Sequence, residues 1–283
     1  LTRDKGYHHL IVLAQNYEGY RNLMQLSSVG HTEGFFDGKP RVDNATLKKY
    51  STGVIALSGC IQGYVPSLLR EGKVKEATQS ALEYNKLFGQ GNFFLELQDH
   101  PAIEGQMDVN TKLIQLSKDT GIPLVVSRDV HYLNPDDVEA QDIMVCVRDG
   151  RKVGEINRED NRHVDRSLNT ADDIESRFRH VPEALQNTVL IANRVNIEIE
   201  LDKWHFAKVD VAKGKTENEV LRETVYACAP DFYHPLSDEV KKRIEYELEI
   251  ISEKGYAPYF LCVADYVAYA KESGIIETTR GSA

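Results

Sequence analysis

The sequence predicts an α/β protein, and two observations lead to that prediction. Short apolar stretches rich in β-branched residues alternate with longer stretches whose apolar residues recur at helical spacing. Such alternation is typical of a parallel sheet or barrel with helices packed on it. Four strands are too few to close a barrel by themselves. The predicted strands cover residues 9–14, 53–58, 92–98 and 122–127.

Helices are predicted between and after these strands from apolar spacing and from end signals. Residues 34–43, rich in Gly, Pro and Asp, are predicted to form a loop. Asn134 followed by Pro135 marks a helix start, since Asn caps a helix and Pro suits its first turn. In order, these helices cover residues 17–28, 65–70, 73–88, 104–120 and about 134–147.

After Gly150 the pattern becomes mainly helical. Thr170 and Thr216 each stand three residues before an acidic residue, which predicts a capping box at the start of a helix. A domain boundary is placed near residue 206, where a short extended stretch gives way to polar loop and helices. The extended stretch covers residues 197–211, and the other helices cover residues 171–178, 182–196, 237–254 and 259–273.

Composition and charge exclude several classes of protein. Of the 283 residues, 41% are hydrophobic and 28% charged, which excludes a disordered chain or a disulfide-rich scaffold. The formal net charge is −10, so any contact with nucleic acid must be local or made by parts outside this chain. The 4 cysteines form no C-x-x-C pair, which favours a reduced, cytosolic setting. The chain starts without Met, and we expect it to begin inside a longer protein.

The sharpest local feature is the pair Asp129 and His131, directly after the fourth predicted strand. Residues i and i+2 of an extended chain point to the same face, so a carboxylate and an imidazole would lie side by side. The third strand ends in Asp99 and His100. Since these groups suit Zn²⁺ or Mn²⁺, the two strand ends predict a metal cluster, which the pair His8 and His9 at the start of the first strand could join. Hydrogen-bonded or solvated histidines at the strand ends are the alternative.

Other chemistry-bearing patterns are weak. The sequence has no phosphate-binding P-loop, no dinucleotide-binding G-x-G-x-x-G and no G-x-S-x-G nucleophile motif. Cys60 follows the second predicted strand and could line a site, although buried thiols are common.

Segments spread along the whole chain carry a family resemblance. The strongest are LELQDH at residues 95–100 and DVHYL at residues 129–133, with HLIVLAQN at 9–16 and EYELE at 245–249 as further examples. Together they resemble the bacterial DNA polymerase III alpha-subunit family, in its polymerase-and-histidinol-phosphatase (PHP) domain and the lead into its palm domain.

The resemblance implies a distorted (β/α)₇ barrel of TIM type over residues 1–205, with its N-terminal part missing. The mainly helical start of the polymerase palm would follow over residues 206–283. The family's opening H-x-H metal ligands would lie upstream. The ligands of Zn²⁺ or Mn²⁺ implied within this chain are His9, His100, Asp129 and His131.

The resemblance also implies a nucleotide site at the C-terminal end of the sequence. Its R-G-S motif suits triphosphate oxygens, although the glycine- and proline-containing lead-in that the family shows is replaced by residues 276–279. The palm carboxylates that hold Mg²⁺ would lie further downstream, so this chain alone should not polymerise DNA. The nucleotide-binding residues are Arg280, Gly281 and Ser282.

The function implied for the full-length protein is that of a DNA-directed DNA polymerase, a nucleotidyltransferase of DNA replication in the cytoplasm. Its PHP domain would add metal-dependent phosphodiesterase or 3'-5' exonuclease activity. The implied partners are DNA, dNTPs, a proofreading exonuclease subunit and the sliding clamp, with no membrane. A stand-alone PHP phosphoesterase acting on a small phosphate monoester is one alternative, against which the palm-like residues 245–261 speak. An inactive PHP scaffold that docks a proofreading exonuclease is the other.

Overall fold

The computed structural model describes residues 6–155, 160, 162–203 and 205–278. They divide into two compact units, one up to residue 199 and one from residue 200 on. The first unit contains a four-stranded sheet formed by β1 (Ile11–Ala14), β2 (Val54–Leu57), β3 (Phe93–Gln98) and β4 (Leu124–Ser127). The α/β prediction is confirmed.

The helices of the first unit follow the strands closely. A 3-10 turn at Pro135–Asp137 leads into α6, and the capping box predicted at Thr170 is present. The helices are α1 (Tyr17–Thr32), α2 (Asn44–Lys49), α3 (Tyr64–Arg70), α4 (Val74–Phe88), α5 (Gln106–Thr120), α6 (Val138–Asp149), α7 (Ala171–Arg177) and α8 (Pro182–Arg194).

The sheet is mixed, which corrects the expectation of a wholly parallel one. The strand order is β1-β2-β3-β4, with β2, β3 and β4 parallel and β1 antiparallel to β2. Two helices connect β1 and β2: α1 follows β1, and α2 precedes β2. The chain therefore returns to the edge that it left, and Ala14 lies opposite Val54. A parallel pair would need a crossover to the other edge.

Two glycines bring the start of α1 against the start of β2. The Asn16 side chain caps α1 by accepting a hydrogen bond of 2.9 Å from the Gly19 N–H. The N–H of Gln15 donates to the Gly53 carbonyl oxygen at 2.8 Å. A Cβ atom on Gly19 would lie 1.9 Å from that same oxygen, so no other residue fits there. Gly53 itself has a φ of +68°, a conformation that favours glycine.

The two faces of the sheet differ in chemistry. Phe93, Leu95 and Leu97 of β3 belong to the larger hydrophobic cluster, which includes side chains of α3, α4 and α5. Phe94 belongs to a smaller cluster with residues of β2, β4 and α8. Because side chains alternate along a strand, Glu96 follows Phe94 on this second face and is buried. The second face is therefore apolar at the start of β3 and polar towards its carboxyl end.

The second unit is helical in its described part, with α9 (Glu217–Phe232), α10 (Asp238–Glu253) and α11 (Ala257–Glu272). The capping box predicted at Thr216 is present and begins α9. No helix in the described ranges is long and apolar enough to cross a membrane.

The described residues between 197 and 211 belong to no helix and pair in no sheet. One helix of the first unit is absent from the prediction. Helix α2 was not predicted, because its six residues are too short to show an apolar period. Its start is nonetheless marked by Asp43, whose carboxylate accepts a hydrogen bond of 2.8 Å from the N–H of Thr46.

The glycine contact gives a stability prediction. We expect Gly19→Ala to lower the free energy of unfolding by about 1–3 kcal/mol, because the new methyl group must push two backbone segments apart. Urea unfolding followed by circular dichroism measures this. Gly154→Ala is the matched control, since a Cβ there meets nothing within 4 Å, and an equal effect of the two substitutions would contradict the argument.

Candidate functional site

A cavity of about 1200 Å³ lies at one edge of the sheet, at the carboxyl ends of β2, β3 and β4. Three of the four predicted ligands line it: His9, Asp129 and His131. His9 reaches this edge because β1 is antiparallel to the other strands, so the residues before β1 lie beside the residues after β2. The N–H of His9 donates to the Gln62 carbonyl oxygen at 3.2 Å and fixes this arrangement.

A thiol stands beside His9 in this cavity. The Cys60 Sγ lies 3.4 Å from the His9 Nδ1. Burial raises the pKa of Cys60 above its usual range, and the carboxylates of Glu96 and Asp129 raise it further. From the sequence, Cys60 is predicted only as a residue that could line a site. Its signal was position, because it follows β2 as other site residues follow β3 and β4.

Asp129 and His131 lie together in the turn after β4. The His131 Nδ1 is 3.0 Å from the Asp129 carbonyl oxygen and 3.5 Å from its Oδ1. The Asp129 Oδ2 forms an ion pair with the Arg166 Nη1. The Arg166 carbonyl oxygen accepts a hydrogen bond of 2.9 Å from the His131 N–H. The segment around Arg166 is thus bound to this turn through both side chain and backbone.

His100 does not line the cavity with the other three predicted ligands. It is 2% exposed, and neither ring nitrogen makes a hydrogen bond of standard geometry. Burial lowers the pKa of His100, and the guanidinium groups of Arg128 and Arg166 lower it further against weak opposition from Asp129 and the Asp165 backbone. The imidazole is therefore held neutral, which is the form that binds a metal.

Arg128 organises the ends of β3 and β4. Its side chain is 8% exposed. It donates to the carbonyl oxygen of Asp99 at 3.0 Å, to that of Ser167 at 2.9 Å and to the Asp165 carboxylate at 3.0 Å. The Asp99 carboxylate pairs with Arg177 and does not line the cavity. Neither arginine was predicted from the sequence, although Arg128 stands directly between β4 and Asp129. No motif surrounds Arg177.

Glu96 is a buried carboxyl group beside this edge, 1% exposed. Its Oε1 accepts hydrogen bonds from Gln98 at 2.9 Å and from Ser127, whereas its buried Oε2 makes no hydrogen bond of standard geometry. Burial raises the pKa of Glu96, and the charge of Asp129 adds to that shift. In the sequence, Glu96 stands out as a charged residue inside a mostly apolar strand. Its side chain lies on the second face of the sheet.

The donors fit a divalent metal in kind but make only part of a site. Imidazole nitrogens from three histidines, the Asp129 carboxylate and the Cys60 thiol are the groups that bind Zn²⁺ or Mn²⁺. Within the described ranges, however, no three His, Cys, Asp or Glu side chains converge closely enough to enclose an ion. The ligand assignment stays a prediction. The predicted nucleotide site (Arg280, Gly281 and Ser282) lies outside the described residues.

The buried Glu96 gives a prediction of pH dependence. Its folded pKa is raised above the unfolded value, so its contribution to stability is present below the unfolded pKa and is lost as pH rises through the folded pKa. We expect the thermal midpoint of the wild type to fall relative to that of Glu96→Gln as pH is raised from 5 to 8. Thermal unfolding of both proteins across this range measures the difference. Two parallel curves would contradict the prediction.

Two stretches of the chain match known protein families. Residues 1–100 match the PHP domain, and residues 219–283 match the bacterial DNA polymerase III alpha NTPase domain. The chain is 38% identical to the DNA polymerase III subunit alpha of Treponema pallidum over 283 residues, which is 99% of this chain and 24% of that protein. The chain is therefore similar to DNA polymerase III alpha subunits along nearly its whole length.

Other relatives are covered to a similar extent. Identity to the DNA polymerase III subunit alpha of Saccharopolyspora erythraea is 36%, over 98% of this chain and 24% of that protein. Identity to the error-prone DNA polymerase of Symbiobacterium thermophilum is 33%, over 100% of this chain and 27% of that protein. The chain spans about a quarter of the length of the curated relatives that it matches.

Proposed function

We propose that this chain is part of a replicative DNA-directed DNA polymerase, a cytoplasmic nucleotidyltransferase that acts on DNA and dNTPs. In this proposal residues 1–205 belong to its PHP domain, a distorted (β/α)₇ barrel, and residues 206–283 begin its palm. The observation that carries the proposal is similarity over nearly the whole chain to polymerase alpha subunits, with the PHP match preceding the alpha-subunit match. Arg280, Gly281 and Ser282 would contact the nucleotide, and Mg²⁺ would be held by the palm carboxylates of the longer protein.

The PHP cavity supports metal-dependent phosphodiester hydrolysis, including 3'-5' exonuclease action. The proposed ligands are His9, His100, Asp129 and His131, with Cys60 beside them. A bound Zn²⁺ or Mn²⁺ would polarise a phosphoryl oxygen and lower the pKa of a water. The residues of the chain supply the rest: imidazole nitrogens as donors, and a carboxylate whose orientation is held by Arg166.

Cavity size favours a polymer over a small substrate. Pockets for small molecules usually measure about 300–1000 Å³, whereas this cavity measures about 1200 Å³. That volume suits the end of a DNA strand better than a small phosphate monoester. The stand-alone phosphoesterase alternative is therefore the weaker one, also because the second unit matches a polymerase subunit.

One observation favours a second candidate, an inactive scaffold that docks a proofreading exonuclease. Both aspartates that follow β3 and β4 already face cations of the protein, Asp99 with Arg177 and Asp129 with Arg166. A cluster neutralised by arginines can be stable without catalysis. Under both candidates, the proofreading subunit and the sliding clamp would be partners of the whole protein.

Metal content distinguishes the two candidates. In the full-length polymerase, we expect His131→Ala to weaken binding of Zn²⁺ or Mn²⁺ by about tenfold or more, because a nitrogen ligand is lost. Mass spectrometry of bound metal after dialysis measures this. His31→Ala, at an exposed position on α1, is the matched control. Metal content that is the same in His131→Ala and the wild type would remove His131 from the ligand set and favour the scaffold.

The polymerase assignment is tested by the intact mass and sequence of the native polypeptide. We expect it to be about four times as long as this chain, since 283 residues correspond to 24% of a relative. We also expect an H-x-H upstream of His9 and paired palm aspartates downstream of residue 283. A native polypeptide of about 283 residues would contradict the polymerase reading.

A further inference from the structure

The cavity carries a second set of charged side chains that the metal chemistry does not use. Among the described residues that line it, every cationic side chain apart from histidine is an arginine, and none is a lysine. This concentration occurs in a chain whose net charge is −10. The four are Arg148, Arg151, Arg162 and Arg166.

The arginines come from a different part of the fold than the metal donors. The donors lie at strand ends, whereas the arginines lie at the end of α6, just after it, and in residues 162–166. The two sets meet at one point, the ion pair of Arg166 with Asp129. A ligand in this cavity would therefore contact guanidinium groups and metal donors at the same time.

Arginine has the right geometry for a phosphate. Its planar guanidinium carries five N–H donors and binds phosphate oxygens in pairs, whereas lysine acts as a point charge. Each of the four arginines lies near a carboxylate: Arg162 with Asp160 at 2.6 Å, for example, and Arg151 with Glu155 at 3.0 Å. Exposed pairs of this kind are weak, and a guanidinium has donors for a second anion.

Arg166 is the arginine that the fold positions most firmly. Its side chain is 20% exposed, less than half the value for Arg148, Arg151 or Arg162. The backbone N–H of Arg166 donates to the Tyr132 hydroxyl at 3.0 Å. The carbonyl oxygen of the next residue, Ser167, accepts a hydrogen bond from the Arg128 side chain. Its position is therefore set before any ligand arrives, which lowers the entropy lost on binding.

We propose that Arg166, with Arg162 as a second contact, binds the phosphodiester backbone of a single DNA strand in this cavity. Arg166 would share its guanidinium between Asp129 and the phosphate nearest the metal donors. This inference rests on the proposed phosphodiesterase function and deepens it by naming the side chains that recognise the substrate. The arginines are substrate-binding residues here, separate from the ligands.

The thiol of Cys60 offers a readout confined to this cavity. In the full-length protein with excess chelator, alkylation of Cys60 is followed by mass spectrometry of its peptide, with and without the oligonucleotide (dT)₄. We expect (dT)₄ to slow alkylation of the wild type and neutral thymidine to have no effect. Arg166→Gln should require about tenfold more (dT)₄ for equal protection, and Arg162→Gln should need more than the wild type. Arg166→Lys should fall between Arg166→Gln and the wild type.

The matched control is Arg21→Gln, an exposed arginine on α1 outside the cavity, which should leave protection unchanged. Equal protection in the wild type, Arg166→Gln and Arg162→Gln would overturn the inference, as would protection by dTTP at lower concentration than by (dT)₄. If Arg166→Gln unfolds, the Arg162→Gln result decides. Alkylation is followed without metal, so the two proposals can fail separately. If the metal content is normal but protection does not depend on the arginines, only this inference is refuted. If protection depends on the arginines but the protein binds no metal, only the proposed hydrolysis is refuted.

Discussion

The contact between Gly19 and Gly53 determines where the rest of the site can form. It brings the chain back to the edge that it left after β1, so β1 runs antiparallel to β2. Had β1 been parallel, His9 would stand at the opposite edge, about 13 Å away for a four-residue strand. The donors after β2, β3 and β4 would then have no histidine from β1 beside them. A backbone contact that involves no functional side chain thus decides which functional side chains can meet.

The charges at the site are balanced locally. Carboxyl groups and guanidinium groups are interleaved where the strands end, so that Asp99, Asp129 and Asp165 all lie against arginines. Arg128 is the most buried of these arginines, and it binds carbonyl oxygens as well as carboxylates. A buried cation is stable only when its donors are satisfied, and satisfying them fixes the backbone on both sides. Burial lowers the pKa of His100, and the same cation lowers it further.

Much of the fold could be predicted from the sequence, since each strand and most helices show their own local period. Asp129 and His131 were found because two alternate residues after a strand share a face, a relation within three residues. What sequence analysis could not supply depends on distant residues. The direction of β1 depends on a contact between residues 34 positions apart. The arginines reach the cavity from α6 and from residues 162–166, without any pattern beside the strand ends. His100 follows a strand as expected, but the turn after β3 directs it inward, towards Arg128.

The position of β1 in the sheet has a consequence for handling the protein. In the described sheet β1 is an edge strand, paired on one side with β2. An edge strand presents backbone donors and acceptors to any extended chain that approaches it. In relatives about four times as long, neighbouring polypeptide can cover such an edge. Two copies of this chain in isolation would instead be able to pair through their β1 strands. The solubility of the isolated chain would then depend on its concentration. A charged residue placed on β1 would raise that solubility.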